Sequence, residues 1–169
     1  MTANPAWIVR TARLDMTPVS WADLPDLRAL KADPRVFAVM LGGVRSSTQT
    51  AEELAQDVAF WGARGCGIWS IRAAGSFVGI TGFMQRRDGR GIALRFALWP
   101  EVQGQGLARE AAGAALRFGH DRAGLSRIVA IARASNIASR TVLGGIGMVE
   151  AESFARRGEQ MLLYESPRR

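Results

Sequence analysis

Cysteine is nearly absent from this 169-residue chain. Cys66 is the only one, which excludes an internal disulfide and any multi-cysteine metal site. It lies in "RGCGIWSI" with no activating base beside it, so a buried, inert thiol is expected. Histidine is as scarce: His120 stands alone in "RFGHDRAG", the pattern of a helix end rather than of a catalytic or metal site, and no metal is expected. No apolar run is long enough to span a bilayer. The N-terminal "MTANPAWIVRTARL" lacks a basic segment followed by an apolar core, so a cytoplasmic protein with no membrane partner is expected. Lysine is missing except for Lys31, yet the net charge is +7, so arginine carries the basic character. Its planar fork suits phosphate and carboxylate partners. The arginines are scattered, and "RR" at the C-terminus is a pair rather than a basic arm, which argues against nucleic acid as the main partner.

Apolar residues make up 48% and charged residues 22%, the balance of a folded domain, and the length suits one domain over 1–169. "AWIVRTARLDMTPV" alternates loosely to Pro18 and reads as a first strand. Leu24, Leu27 and Leu30 mark a short helix begun by Ser20 or Asp23 and stopped before Pro34. Thr50 with Glu53 resembles a capping box for a second helix through Trp61. "CGIWSIRAA", "SFVGITGFMQRR" and "GIALRFALWP" read as three consecutive antiparallel strands. Leu107, Ala111, Ala115 and Phe118 then form a helical stripe that suits packing on a sheet. "RIVAIAR" is a buried strand, and "NIASRTVLGGIG" a helix capped by Gly147. "EAESFAR" and "QMLLYES" close as a hairpin. The order makes a mixed α/β domain.

The chemistry concentrates in "QGQGLAREA". Gly104 and Gly106 fall just before a helix, where unpaired N–H groups and the helix dipole favour an anion. Glycines let the backbone curl and let a diphosphate approach without a Cβ in the way. A Walker loop would need Lys followed by Ser or Thr, and a dinucleotide fingerprint would need a third small residue and an early parallel βαβ unit; both fit poorly. A plain tight turn is the simpler alternative for the loop by itself.

With its surroundings the loop is more specific. Gln103-Gly104-Gln105-Gly106-Leu107-Ala108 is similar to the (Gln/Arg)-x-x-Gly-x-(Gly/Ala) signature of the GNAT superfamily of N-acetyltransferases. "FALWPEVQGQGLAREA" looks like that family's fourth strand and cofactor helix, and "ASNIASRTVLGGIGMVE" like its later "N-x-x-S" helix. "TARLDMTPVSWADLPDLRAL" and "FWGARGCGIWSI…GSFVGITGF" resemble the RimJ/RimL-like branch, which contains the ribosomal-protein N-terminal acetyltransferases. The likeness spans nearly the whole chain in the right order.

The resemblance implies an α/β (α+β) fold: a mixed, mostly antiparallel sheet of six to seven strands, splayed between strands 4 and 5 and flanked by about four helices. It implies acetyl-CoA as co-substrate and direct transfer of the acetyl group to a primary amine, either a protein N-terminus or a small molecule. The pantetheine arm would pair with the backbone of Phe96, Ala97 and Leu98, and the Leu98 N–H would stabilise the oxyanion. Such preorganised donors lower a barrier by about 3 to 4 kcal/mol. Gln103 through Arg109 would take the diphosphate, Asn136 the pantetheine arm, and Arg109 and Arg140 would add charge near the phosphates. Ser139, the serine of "N-x-x-S", would be the acid that protonates the thiolate, or a brace for the helix start. Trp61 and Trp99 would line the acceptor pocket, whereas Trp69 suits the core.

Two positions depart from the family. A glutamate base is replaced by Ala93, and a tyrosine acid by Leu143; Tyr164, the only tyrosine, suits the core. Glu150 and Glu152 are substitute bases to consider, although solvated glutamates are the commoner case. These departures keep alive a non-catalytic acyl-CoA-binding sensor or scaffold. The resemblance also leaves room for a homodimer.

Overall fold

The computed structural model describes residues 3–167, so the C-terminal arginine pair lies outside the described residues. Among the described residues eight strands form one sheet in the order β1-β2-β3-β4-β5-β6-β8-β7. They are β1 (Val9–Arg10), β2 (Asp15–Pro18), β3 (Ile68–Ala73), β4 (Ser76–Gln85), β5 (Ile92–Leu98), β6 (Arg127–Arg133), β7 (Val149–Arg156) and β8 (Glu159–Pro167). The helices are α1 (Leu24–Ala32), α2 (Pro34–Phe37), α3 (Ser47–Arg64), α4 (Leu107–Asp121) and α5 (Ile137–Gly145). All neighbouring strands pair antiparallel except β5 and β6.

Three local expectations change. The first strand is a small hairpin, with Val9 opposite Met16, so the sheet has one strand more than expected. Asp33 and Pro34 begin the extra helix α2 instead of merely ending α1: the Asp33 carboxylate accepts from the Arg35 N–H at 2.9 Å, and proline suits a first helical turn. The cap of α3 lies one turn earlier than Thr50. Ser46 and Gln49 exchange side-chain-to-backbone bonds at 3.1 and 2.8 Å, and Thr50 is buried inside the helix. The S-x-x-Q spacing was available in the sequence.

The stripe of α4 is buried as its spacing demands, and the helix lies close on the sheet. A Cβ at Gly119 would come within 2.6 Å of Phe83 and 2.8 Å of Ile128. At the end of α5, Gly147 has φ +90°, and its N–H and that of Met148 close on the last carbonyls. His120 ends α4, with Nδ1 at 2.7 Å from the Leu125 carbonyl and Nε2 at 3.0 Å from the Ser166 hydroxyl, so it is structural. Cys66 is fully buried, and burial pushes its thiol pKa up.

An aromatic cluster fills the core. Trp61 and Trp69 meet edge to face at 4.9 Å, and Trp69 meets Phe118 the same way at 5.0 Å. Trp61 was expected at the acceptor pocket; it is only 2% exposed, and its indole N–H is satisfied by the Ile68 carbonyl at 2.7 Å. That bond lets the whole ring be buried without an orphaned donor.

Candidate active site

The parallel junction of β5 and β6 holds together at one residue pair only, Ala93 opposite Val129. β5 continues to Leu98 and β6 to Arg133, so beyond that pair the two strands part and leave a wedge. Peptide groups along a strand point alternately to its two neighbours. The Trp99 N–H reaches the Val78 carbonyl on the β4 side at 2.9 Å. The alternation turns the N–H groups of Phe96 and Leu98 toward the wedge, where no strand meets them. The Leu98 carbonyl faces the same way and accepts from the Gln103 side chain at 3.1 Å. Gln103 thereby ties the strand end to the glycine loop.

Both glycines of that loop occupy the left-handed region, Gly104 at φ +80° and Gly106 at φ +79°. Gly106 is the N-cap of α4 and offers no capping side chain. The first bond into the helix runs from the Glu110 N–H to the Gly106 carbonyl at 3.0 Å, so the N–H groups of Leu107, Ala108 and Arg109 lack intrahelical partners. The backbone beside them is open, since a Cβ at Gly104 would meet nothing within 4 Å.

Arg13 braces this loop from the opposite end of the chain. It donates to the Gln105 carbonyl at 2.8 Å and pairs with Glu110 at 2.7 Å, and its guanidinium lies 3.4 Å from where a Gly106 Cβ would stand. No sequence signal singles out Arg13, because its partners are more than ninety residues away. Arg109 lies in a shallow cleft between α4 and α5, against Gly145. Arg140 does not join it: its guanidinium donates to the Tyr164 hydroxyl at 3.2 Å and to the Ala134 carbonyl at 2.9 Å. The expectation that Arg140 faces phosphate therefore fails, because the turn of α5 aims it at β6 and β8.

Asn136 caps α5, its side-chain oxygen accepting from the Ser139 N–H at 3.2 Å. Ser139 is half-buried, and its hydroxyl has no hydrogen-bond partner among the described residues, so Oγ is free to serve a ligand. Both residues line the wedge together with Leu143.

The wedge opens on both faces of the sheet, and strand parity divides its walls. Leu94, Phe96, Ala130 and Ala132 face α4 and α5. Met84, Ala93, Arg95, Ile131 and Arg133 face the other way. On that second side the α2–α3 connection, from Val39 to Arg45, closes over the opening. Trp99 is half-buried against the main core and, like Trp61, lines no part of the wedge.

The second side is cationic. Arg45, Arg86, Arg95 and Arg133 line it, and no carboxylate among the described residues does. Ala93, where a family glutamate would stand, contributes only a methyl group. Glu150 and Glu152 lie exposed on β7, and Glu152 pairs with Arg90 at 3.1 Å, so neither reaches the wedge. Behind the wall Lys31 is 2% exposed and 3.8 Å from Glu53. Its burial, then the nearby Arg95 charge, lower its pKa from 10.5 to about 8. Burial also raises the pKa of Asp57 in the same cluster.

A sheet parted at one parallel junction, with free strand amides meeting a glycine-cradled helix start, is the architecture of an acyl-CoA-dependent acetyltransferase. The family model of the acetyltransferase (GNAT) domain matches residues 13–149, and the chain belongs to that family. It is 28% identical over 185 residues to the FsC-acetyl coenzyme A-N(2)-transacetylase of Aspergillus fumigatus, covering 99% of this chain and 73% of that protein. It superposes with a TM-score of 0.84 on an acetyltransferase from Agrobacterium tumefaciens, at 27% identity over 98% of this chain and 96% of that one. The fold is also that of RimL, the ribosomal L7/L12 alpha-N-protein acetyltransferase solved with coenzyme A, at TM-score 0.78 and 18% identity over 95% and 97% of the two chains. The protein is an acetyl-CoA-dependent N-acetyltransferase. No helix among the described residues is long and apolar enough to cross a membrane.

Proposed function

We propose that the chain transfers acetyl directly to a primary amine, with the coenzyme entering the wedge from the α4–α5 side and the amine from the arginine-lined side. The observation that carries this reading is the pair of unmet N–H groups at Phe96 and Leu98, together with the free donors of Leu107, Ala108 and Arg109. The first pair suits the amides of a pantetheine arm and the second group a diphosphate. Bound acetyl-CoA supplies an activated thioester. The Leu98 N–H meets the oxygen on which negative charge develops, a preorganised donor aimed at the transition state. The free Ser139 hydroxyl donates a proton to the departing sulfur, directly or through water, and Asn136 positions it by fixing the start of α5.

The wall holds no base, and this bears on the acceptor. A lysine-like amine would need a proton removed against a pKa of about 10, whereas an α-amino group near 8 is partly neutral at ordinary pH. Acceptors with an α-amino group, whether a peptide N-terminus or an amino acid, therefore fit this wall better than alkyl amines. A solvent path suffices to carry the proton away.

The test is release of free CoA across a panel of α-amino and alkyl-amino acceptors with the full chain. Turnover that favours α-amines supports the reading. Tight acetyl-CoA binding without turnover on any amine would instead support an acyl-CoA-binding sensor or scaffold. Strong preference for alkyl amines at neutral pH would overturn the deprotonation argument.

A further inference from the structure

The arginines on the acceptor side differ in what already holds them. Arg45 pairs with Glu53 at 2.9 Å and also donates to the Leu41 carbonyl. Arg86 pairs with Asp88 at 2.7 Å. Arg133 has only the half-exposed Glu159 at 3.4 Å. Arg95 has no carboxylate within 4.0 Å among the described residues; its guanidinium meets the Met84 sulfur at 3.4 Å, a weak acceptor. Its charged neighbours Lys31, Arg45, Glu53 and Asp57 leave the cluster with three cations against two carboxylates when all are ionised. A half-buried cation in excess, bonded to sulfur on the wall of an open cleft, is a costly arrangement until an anion meets it.

The excess continues outward. Arg133 also lines an adjoining recess with Gly42, Gly43, Arg156 and Arg157, three arginines against the one carboxylate of Glu159. Neither Arg156 nor Arg157 has a carboxylate within 4.0 Å among the described residues. A path of cationic side chains therefore runs from beside the strand that would carry the thioester to the β7–β8 turn.

We infer that the amine acceptor carries an acid group, carboxylate or phosphate, which Arg95 holds inside the cleft, with Arg133 as a second, more exposed contact. This rests on the amine-transfer reading above and narrows it to amino acids, phosphorylated amines or peptides acidic near their N-terminus. Arg95 follows Leu94 on β5 and precedes Phe96, whose N–H faces the wedge. An acid group on Arg95 would therefore sit beside the reacting amine, on the side opposite the coenzyme. The two neighbours on one strand divide the labour: Phe96 for the coenzyme, Arg95 for the acceptor.

The test measures binding apart from turnover. N-acetylglycine and N-acetylglycinamide, the amides of N-acetylphosphoserine and N-acetylserine, and acetylated, C-terminally amidated peptides with Asp or Asn at the second position are titrated calorimetrically into the full chain saturated with CoA. In at least one pair the acid form is expected to bind about 10- to 100-fold tighter than its neutral partner, the range of a charge-assisted bond. The pair that shows it tells carboxylate from phosphate and amino acid from peptide. Arg95→Gln should shrink that gap to about threefold or less, while Arg95→Lys keeps part of it and acetyl-CoA affinity stays unchanged in both. Equal binding within every pair, or a gap that survives in Arg95→Gln, overturns the inference; the wild-type comparison decides it even if the glutamine variant does not fold. Selective binding of acids without acetylation of any amine would sink the transfer reading alone. Acetylation indifferent to acid groups would sink this one alone.

Discussion

The two sides of the wedge between β5 and β6 are made from different materials. The α4–α5 side offers main-chain groups: the N–H of Leu98, the turn through Gly104 and Gly106, and the first donors of α4. The opposite side offers long side chains on Arg45, Arg86, Arg95 and Arg133. Backbone donors are held by the fold itself and would suit a coenzyme that never changes. Arginine side chains can be exchanged without disturbing strand or helix, which suits a surface that selects among acceptors. Acceptor specificity can therefore vary on the arginine side without loss of the chemistry.

The contrast breaks most severely at Gly106. Gly106→Glu places a carboxylate at the proposed phosphate position and forces a side chain into left-handed backbone. Acetyl-CoA affinity by calorimetry should fall at least about 100-fold, about 2.7 kcal/mol, with the melting transition still cooperative; affinity within a few-fold of wild type would remove the loop from the site. Ser139→Ala is expected to lower kcat about 10- to 100-fold, while the Kd for acetyl-CoA moves little. A wild-type rate would hand the proton to water.

The acceptor side yields a pH signature. The folded pKa of Lys31 lies below its unfolded value, so the native state binds fewer protons between about pH 8 and 10.5. Stability contributed by this group therefore rises as pH climbs through that window, by at most about 3 kcal/mol. Denaturant unfolding of wild type and Lys31→Met should diverge there, the variant lacking the rise; parallel curves would contradict the assignment. The smallest effect expected is on catalysis by Trp61→Phe. It removes the bond to the Ile68 carbonyl and costs about 1 to 3 kcal/mol of stability, yet acceptor KM should stay constant, because the ring lies in the core. A raised acceptor KM with unchanged Tm would return Trp61 to the pocket.

Much of this was legible in the sequence because it is local. Strands β3 to β5 announced themselves by apolar runs between turn residues, and α4 by its stripe of Leu107, Ala111, Ala115 and Phe118. Gly147 ended α5 where a left-handed residue was needed. The glycine loop and the asparagine-serine pair were visible as short spacings with their order along the chain. What escaped depends on direction and distance. The parity of β5, which turns Arg95 one way and Phe96 the other, is fixed only by the register with β4. Arg13 reaches the loop from a hairpin read as one strand, across more than ninety residues. Trp61 and Arg140 sit beside the right segments, but packing aims them elsewhere: the indole toward Trp69 and Phe118, the guanidinium toward Tyr164. Spacing says which residues share a face; it does not say what that face meets.

The wedge between β5 and β6 is the proposed path of the coenzyme. A crystal structure of the full chain with acetyl-CoA tests this most directly. The account predicts the diphosphate on the N–H groups of Leu107 to Arg109 and the thioester oxygen about 2.7 to 3.2 Å from the Leu98 nitrogen. Coenzyme bound elsewhere, with β5 and β6 still apart and nothing between them, would contradict it.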